Sequence, residues 1–259
     1  MSENFIARDA DVLASSLTSA LRGWTGINSV PATTKPEKTL ELYEFEGCPY
    51  CRLVREALTE LDLDVIIYPC PKGGQRFRPK VIEMGGKAQF PYLVDPNTGE
   101  QMYESMDIVA YLFATYAQRE LPLKWRAGAL QKFSSIGSGI PRLGKGVTAR
   151  PSRVPDEMLE LYSFEGSPFA RRVRELLCEL ELPYLLHNTG RTSFRDWVPP
   201  FVRDAMNILP GSDLENRRQL LERAGRISIP YLVDPNSGKE LSDSADIRDH
   251  LRAEYSVSA

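Results

Sequence analysis

Cysteine and histidine are scarce in this chain, which has four cysteines and two histidines among 259 residues. Four irregularly spaced cysteines are too few for the disulfide framework of a small secreted domain. No apolar run approaches the roughly 20 residues that a membrane-spanning helix needs. The N-terminus carries Glu3, Asp9 and Asp11 where a signal or transit peptide would be basic. We therefore expect a cytoplasmic protein with no membrane span, in which a close cysteine pair is redox-active or binds metal.

A strong excess of charge of either sign is also missing. The formal net charge is -3 and the isoelectric point is near 5.6, so the chain lacks the basic surface that nucleic acid or an anionic membrane would attract. Hydrophobic residues make up 42% and charged residues 26% of the sequence, which is typical of one large or two ordinary folded domains. The expected partners are small molecules or proteins, and no nucleic acid.

An internal repeat organises the sequence. Residues 40–61 align with residues 159–180 at an offset of 119, and 15 of the 22 positions are identical. A second block of nine residues beginning at Pro91 matches the block at Pro230 in eight positions, but at an offset of 139. The second copy therefore holds about 20 extra residues between the blocks, among them Trp197, a length that a surface insertion absorbs at small entropic cost.

Each copy shows the same order of predicted elements: strand, glycine turn, amphipathic helix, strand, short helix, and a proline before a hairpin and a last helix. Two strands separated by one helix indicate a right-handed parallel crossover. In the helix of the first copy, the core stripe comprises Cys51, Val54, Leu58 and Leu61, and the charged residues are expected largely outside it. The predicted strands and last helices are 40–45, 64–68 and 106–116 in the first copy, and 159–164, 184–187 and 245–255 in the second.

These patterns divide the chain into four parts. Residues 1–38 are expected to form an N-terminal helix and linker, because apolar positions recur at helical spacing between Asp11 and Trp24. Residues 39–120 form the first copy and residues 158–259 the second. The segment 121–157 is rich in glycine, proline, serine and basic residues and is expected to be a linker.

The close cysteine pair lies at the predicted strand-to-helix turn, as Cys48-Pro49-Tyr50-Cys51. The unpaired N–H groups and dipole at a helix N-terminus favour the thiolate of Cys48, and Cys51, one turn later, can resolve a mixed disulfide. Zinc ligands and structural thiols use the same spacing, but no second CxxC or HxxxH pattern completes four zinc ligands. Pro and Tyr between the cysteines favour redox chemistry.

The order of elements, this motif and Glu104-Ser105 after the hairpin resemble glutaredoxins and the N-terminal domain of glutathione transferases. The resemblance covers residues 40–116 and 159–255. It implies an α/β fold with two tandem thioredoxin-like modules and glutathione as the cofactor. Because the printed chain ends four residues after the last predicted helix, we expect no all-helical transferase C-terminal domain.

The resemblance also implies roles for individual residues of the first copy. Pro91 would be cis, so that the backbone of Phe90 pairs with the cysteinyl part of glutathione, while Glu104 and Ser105 would hold its γ-glutamyl end. Ser105 is also a candidate helix N-cap. The predicted site comprises catalytic Cys48 and Cys51 with Tyr50, Phe90, Pro91, Glu104 and Ser105, and candidates for the glycine carboxylate are Arg76, Arg78, Lys80 and Lys87.

The second copy has Ser-Pro-Phe-Ala at residues 167–170, so it lacks both thiols and cannot perform dithiol exchange. Its turn resembles that of serine-type transferases, in which the hydroxyl hydrogen-bonds the glutathione sulfur. A degenerate copy retained for packing is the alternative. The implied glutathione site of this copy comprises Ser167, Phe169, Ile229, cis Pro230, Asp243 and Ser244.

We therefore expect a glutathione-binding thiol-disulfide oxidoreductase that acts on a disulfide or glutathionylated substrate, with Cys48 as nucleophile and Cys51 as resolving thiol. Phe45 stands where many glutaredoxins carry lysine, and in this respect the first copy is closer to a transferase domain. Two alternatives remain open at this stage. One is a transferase-like enzyme with an interdomain pocket, and the other is a non-catalytic module that binds glutathione or a partner.

Overall fold

A computed structural model describes residues 5–193, 196, 202, 206 and 213–257. Most of the insertion in the second copy, Trp197 included, lies outside the described residues. The described strands form one mixed eight-stranded sheet in the order β4-β3-β1-β2-β6-β5-β7-β8. The strands are β1 (Leu40–Glu44), β2 (Val65–Pro69), β3 (Tyr92–Val94), β4 (Gln101–Met102), β5 (Leu159–Ser163), β6 (Tyr184–Asn188), β7 (Tyr231–Asp234) and β8 (Lys239–Leu241).

The two halves of the sheet have the same topology. In each half the first two strands are parallel, as the predicted crossover requires, and the hairpin adds two antiparallel strands to the first. The halves meet where β2 pairs antiparallel with β6, with Ile66 opposite Leu185. Each half thus covers a strand edge of the other that would otherwise be exposed.

The helices flank both faces of this sheet. Within the described ranges, none of them combines the length and apolar character that crossing a bilayer requires. A π-helical turn (Phe113–Ala117) follows α4, and a 3₁₀ turn (Ile140–Arg142) follows α6. The helices are α1 (Phe5–Leu21), α2 (Pro49–Leu61), α3 (Arg78–Gly85), α4 (Ser105–Leu112), α5 (Leu123–Arg126), α6 (Gly128–Gly139), α7 (Pro168–Glu179), α8 (Glu215–Ala224) and α9 (Ser244–Tyr255).

Alternation along the strands divides the apolar residues between the two faces. Leu42 and Leu161 belong to one continuous core that runs through both halves beneath α2, α4, α7 and α9. Tyr43 and Tyr162 belong to two smaller clusters on the opposite face, which pack residues near α3 and α8. The principal core is therefore shared between the copies.

The structure corrects one expectation about α2. Its apolar stripe is buried as predicted, but so are its charged residues: Arg55 and Glu56 are each 1% exposed, and Arg52 and Glu60 are also buried. The periodicity of one helix cannot show that a second layer packs on its polar face. Here α6 supplies part of that layer, and Glu165, in the turn before α7, pairs with Arg52 and Arg55.

Arginine and glutamate side chains cross between the halves at equivalent positions of the repeat. Arg55 Nε lies 2.8 Å from Glu165 Oε2, and Arg174 Nη2 lies 3.0 Å from Glu46 Oε1. Arg55 also pairs with Glu44, and Arg174 also with Glu165. Both buried arginines of this central ionic cluster are thus compensated by carboxylates from both copies.

The segment 121–157 is more ordered than a linker, since it contains α5, α6 and the 3₁₀ turn. Helix α6 packs on α2 of the first copy, and α1, which precedes that copy, packs on α7 of the second. Each copy is therefore covered by a helix that precedes the other copy in the chain. We call α1 and α6 the cover helices.

The chain that follows each cover helix lies tightly against a strand-to-helix turn. The segment after α1 contacts the turn of the second copy, and the segment after α6 contacts the turn of the first. Gly47 N donates to Gly146 O at 3.1 Å, and Gly166 N donates to Gly26 O at 2.8 Å. A Cβ atom on Gly166 would stand 2.6 Å from Ile27 Cγ1 and 3.0 Å from Thr25 O. Glycine is needed at this turn because the two chains approach so closely.

Gly166→Ala is expected to lower the free energy of unfolding by about 1–3 kcal/mol, because the added methyl group overpacks this contact. The matched control is Gly137→Ala in α6, where a Cβ atom meets nothing within 4 Å and removal of a helical glycine stabilises by about 0.5–1 kcal/mol. Urea denaturation of both variants measures the two effects. Equal stability of the two variants would show that the turn has room to spare.

Candidate functional site

Cys48 occupies the N-cap of α2, directly after the turn that follows β1. Pro49 takes the first helical position, where its missing N–H costs nothing and its fixed φ suits the helix. The backbone N–H of Cys51 donates to Cys48 Sγ at 3.3 Å. The sulfur therefore faces the positive end of the helix, as the sequence predicts.

The two thiols of the motif have opposite pKa shifts. Burial opposes ionisation of Cys48, which is 3% exposed, but hydrogen bonds from the Cys51 thiol and from the N–H groups of Cys51 and Tyr50, with the charge of Arg55, lower its pKa below the ordinary value. Burial raises the pKa of Cys51 well above its usual range, and the hydrogen bond and charge of Cys48 add to this. Of the two thiols, Cys48 is therefore the one that ionises more readily, and Cys51 is its hydrogen-bond donor.

The remaining cysteines are buried and free, with pKa values raised mainly by burial. Cys178 Sγ accepts from Glu46 N at 3.3 Å and donates to Gly146 O at 3.4 Å, so it satisfies backbone groups between the halves. In the described part of the chain, no group of three or more His, Cys, Asp or Glu side chains is arranged to hold a metal ion.

Phe90 and Pro91 lie beside the cysteine turn. The Phe90 ring packs edge-on against Phe45 with centroids 6.2 Å apart, and the Arg78 guanidinium stacks over Phe90 at 4.8 Å. The peptide bonds before Pro91 and Pro230 are both cis, as predicted. Phe45, which stands where many glutaredoxins carry lysine, is thus a packing partner of Phe90.

Glu104 and Ser105 lie at the start of α4. Glu104, not Ser105, is the N-cap residue, and its φ of 66° is unfavourable for a residue with a side chain. Its carboxylate accepts from Gln89 Nε2 at 2.6 Å, which ties it to the segment before Pro91. Ser105 is buried, and its Oγ has no hydrogen-bond partner among the described residues. Such an unsatisfied hydroxyl is a candidate contact for a polar ligand.

The structure separates the four basic candidates of the first copy. Arg76 is committed to the second copy, since its Nη1 donates to Leu180 O at 2.9 Å and to Glu181 O at 3.0 Å. Lys80 and Lys87 lie over the rings of Phe77 and Tyr103. Arg78 is the basic residue that contacts the predicted site directly, through the ring of Phe90.

The second copy keeps the geometry of the turn without its sulfur. Ser167 is the N-cap of α7 and its Oγ accepts from Ala170 N at 3.2 Å. The groups that correspond to Glu104 and Ser105 are more fully engaged. Asp243 caps α9 and pairs with Arg8 at 3.3 Å, and Ser244 Oγ accepts from Arg172 at 3.5 Å. Ile229 packs partly buried in the cluster near α8, and Phe169 is exposed.

Each cover helix hydrogen-bonds the strand-to-helix turn of the copy on which it packs, a feature that the sequence analysis missed. Ser135 Oγ donates to Pro49 O at 2.7 Å, and Ser15 Oγ donates to Pro168 O at 2.7 Å. The signal was present in the sequence. The repeat extends to these segments, because Ser15 and Ser135, like Arg22 and Arg142 or Gly26 and Gly146, are 120 residues apart, close to the offset of 119 between the copies.

Comparison with known proteins identifies the family. The family profile of the glutathione S-transferase N-terminal domain matches residues 42–120 and 161–258. A search of curated proteins gives no match. Among solved structures, the chain is 28% identical to a Bombyx mori glutathione transferase over 33% of its own length and 39% of that enzyme, with a TM-score of 0.28.

Two further solved structures are similar. A Nilaparvata lugens delta-class glutathione transferase shares 29% identity over 31% of this chain and 37% of that one, with a TM-score of 0.27. The trimeric Leishmania glutathione transferase TDR1 shares 13% identity over 86% of this chain and 68% of that one, also with a TM-score of 0.27. The chain thus spans less than two fifths of the length of the two insect enzymes that it matches.

The geometry predicts that Cys48 is alkylated before Cys51 and Cys178 near neutral pH. It also predicts that Cys51→Ala raises the pKa of Cys48, because this change removes the thiol donor, whereas Cys51→Ser keeps a donor and has a smaller effect. Iodoacetamide labelling across a pH series, with each site followed by mass spectrometry, measures both. The nucleophile assignment is wrong if Cys51 or Cys178 is labelled first, and the donor assignment is wrong if the pKa of Cys48 is the same in all three proteins.

Proposed function

Because the chain belongs to the glutathione S-transferase N-terminal domain family, we propose that it binds glutathione and catalyses thiol-disulfide exchange with Cys48 as nucleophile. Residues 39–120 and 158–259 form two tandem thioredoxin-like modules in this proposal. The first is redox-active, and the second is a redox-silent copy. The observation that carries the proposal is the thiol of Cys48 at the N-cap of α2, with a lowered pKa and with Cys51 as its donor.

The exchange needs no reactant other than glutathione and the substrate. The Cys48 thiolate attacks the glutathione sulfur of a glutathionylated thiol, so a Cys48–glutathione disulfide forms and the substrate leaves as a thiolate that takes a proton from solvent. A second glutathione thiolate then attacks the bound glutathione sulfur. Oxidised glutathione is released, and the Cys48 thiolate is restored.

Cys51 acts on disulfide substrates, of which one sulfur forms a mixed disulfide with Cys48. Cys51 Sγ displaces the substrate from the mixed disulfide with Cys48 while its proton passes to the departing substrate thiolate, and the resulting Cys48–Cys51 disulfide is reduced by two glutathione molecules, which leave as oxidised glutathione. The raised pKa of Cys51 keeps it protonated until this step. The same proton stabilises the Cys48 thiolate in the resting protein.

The residues around Cys48 fit the polar groups of glutathione. The unsatisfied Ser105 Oγ and the α4 N-terminus are suited to the γ-glutamyl carboxylate, and Glu104 to its ammonium group. The Phe90 backbone is available for the cysteinyl part, with Tyr50 exposed beside the turn. Arg78 is the preferred partner of the glycine carboxylate, because it already stacks on Phe90.

The second copy is proposed as a weaker glutathione site. Ser167, as the N-cap hydroxyl of α7, can donate to a bound thiolate but cannot form a disulfide. Ligand binding there must compete with the Arg8–Asp243 ion pair and with the hydrogen bond from Arg172 to Ser244. A second candidate function, glutathione conjugation to an electrophile, is favoured by this serine.

Cys48→Ser is expected to abolish reduction of a glutathionylated peptide, because the serine hydroxyl is not a nucleophile at neutral pH. Cys51→Ser should retain activity on this substrate, since the second glutathione attacks the mixed disulfide directly. Formation of oxidised glutathione, coupled to glutathione reductase, measures the rate.

Conjugation of glutathione to an aryl chloride by the same proteins separates the two candidate functions. The oxidoreductase proposal predicts negligible conjugation in all of them. The transferase function would instead be favoured by a different result. In that case Cys48→Ser would still conjugate glutathione, Ser167→Ala would not, and the wild type would not reduce the peptide.

Glutathione binding is expected to depend more on Ser105 than on Ser244. In a Cys48→Ser, Cys51→Ser background, Ser105→Ala should weaken the tighter site about 10- to 150-fold, since a hydrogen bond to a charged group contributes about 1.5–3 kcal/mol. Ser244→Ala should remove only a second, weaker site. Isothermal titration calorimetry with reduced glutathione distinguishes the two.

The calorimetry has two contrary outcomes. A single site lost in Ser105→Ala and unchanged in Ser244→Ala would make the second copy a purely structural partner. Binding unaffected by Ser105→Ala would reject the proposed γ-glutamyl contact.

A further inference from the structure

The cover helices have their polar residues inside and their apolar residues outside. Ser15 and Ser19 of α1 and Ser135 and Ser138 of α6 are buried against the two active turns. On the opposite side of each helix, large apolar side chains recur at helical spacing and are between 44 and 73% exposed. These are Leu13, Leu17 and Leu21 on α1 and Leu130, Phe133 and Ile136 on α6, and we call them the outer helical face.

The two cover helices run antiparallel and are fixed to each other. Near the end of α1, Arg22 Nη2 donates to Gln131 Oε1 at 2.5 Å, and beyond the end of α6, Arg142 Nη2 donates to Asp11 Oδ1 at 2.9 Å. Since equivalent residues make both contacts, an approximate two-fold axis passes between the helices. Their apolar sides therefore form one continuous, rigid surface.

This surface is larger than the usual exposed apolar patch. Trp24 and Leu143, 43 and 89% exposed, extend it at its two ends. With these, the exposed apolar area is on the order of 1,000 Å², above the 300–600 Å² typical of the largest patch on a monomer. It matches the ~800 Å² that each partner contributes to a standard stable interface.

Charge favours a protein over an anionic bilayer as the occupant. Lys124 and Lys145, which flank the cover helices, are already paired with Glu60 and Asp11, which among the described lysines of these helices and their flanks leaves Lys132 without an ion pair, and the chain as a whole carries a net charge of -3. An interfacial membrane helix would need cations free to meet lipid phosphates.

We propose that a second copy of this chain covers the outer helical face. A surface with an internal two-fold axis is suited to an isologous contact, in which the same residues face each other across the dimer axis. Two antiparallel helix pairs stacked in this way form a four-helix layer with an apolar centre. The dimer would bury Phe133 and Leu17 of both protomers. The cysteine turn of each protomer would stay outside the interface, because it packs on the inner side of α6.

The full chain is expected to sediment as a dimer. The double variant Leu17→Glu, Phe133→Glu is expected to be monomeric, with a dimer dissociation constant at least ~100-fold higher, because each substitution enters the interface twice. The matched control is Val154→Glu, at a residue 58% exposed outside the face, which should remain dimeric. Analytical ultracentrifugation over a concentration series measures the association, and circular dichroism checks folding. If the double glutamate variant unfolds, Leu17→Gln with Phe133→Gln replaces it.

Three results would overturn the proposal. One is a wild-type chain that is monomeric at all concentrations. Another is a dimer that both double variants leave intact, which would place the interface elsewhere. The third is a monomer that binds phosphatidylglycerol vesicles through Leu17 and Phe133, which would make a lipid surface the occupant.

Discussion

The central ionic cluster between α2 and α7 is the constraint on which the arrangement of the two copies depends. Arg55 and Arg174 are both nine-tenths or more buried and each bonds carboxylates of both copies. Removing one partner of a buried pair costs about 3–5 kcal/mol, because the other charge is left without compensation. The copies therefore cannot slide or separate without exposing or orphaning these charges, and the β2–β6 pairing holds only one register.

The same cluster extends outward to the cover helices. Arg22 of the segment after α1 pairs with Glu56, and Arg142 of the segment after α6 pairs with Glu175. The cover helices lie so close to the two strand-to-helix turns that only small side chains fit between them. Serine hydroxyls fill this space and donate to the carbonyl groups of the turns. Their apolar side chains are consequently left on the outside, so one buried charge network accounts for the reversed polarity of α1 and α6.

The cluster is not fully symmetric, and its asymmetry lies beside the thiols. Glu44 in the first copy corresponds to Ser163 in the second. Burial raises the pKa of Glu44 to about 8, although the charge of Arg55 opposes this. Its negative form raises the pKa of Cys51, while Arg55 lowers that of Cys48. The ionic contacts that join the copies thus also help to separate the two thiol pKa values.

Much of the local structure could be predicted from the sequence, because it depends on local signals. The repeat, the βαβ order and the N-cap position of Cys48 follow from patterns in the sequence, and the two cis prolines were implied by the family resemblance. The burial of Arg52, Arg55 and Glu56 could not, since helical periodicity reports only which residues share a face. Helix α6 was also missed, because its glycines lower its helix propensity and its inner side carries Ser135 and Ser138 in place of apolar residues.

The contacts that join the second copy to the first do not depend on a thiol in its strand-to-helix turn. Replacing the two thiols by Ser167 and Ala170 removes exchange, yet Ser167 keeps the N-cap hydrogen bond that Cys48 makes in the first copy. None of the residues that join the copies depends on the sulfur. Glu165 still neutralises Arg55 and Arg174, which hold its own pKa at about 2, and α7 still supports α1. The charged contacts around the second turn are therefore independent of a thiol there, and they join it to the first copy.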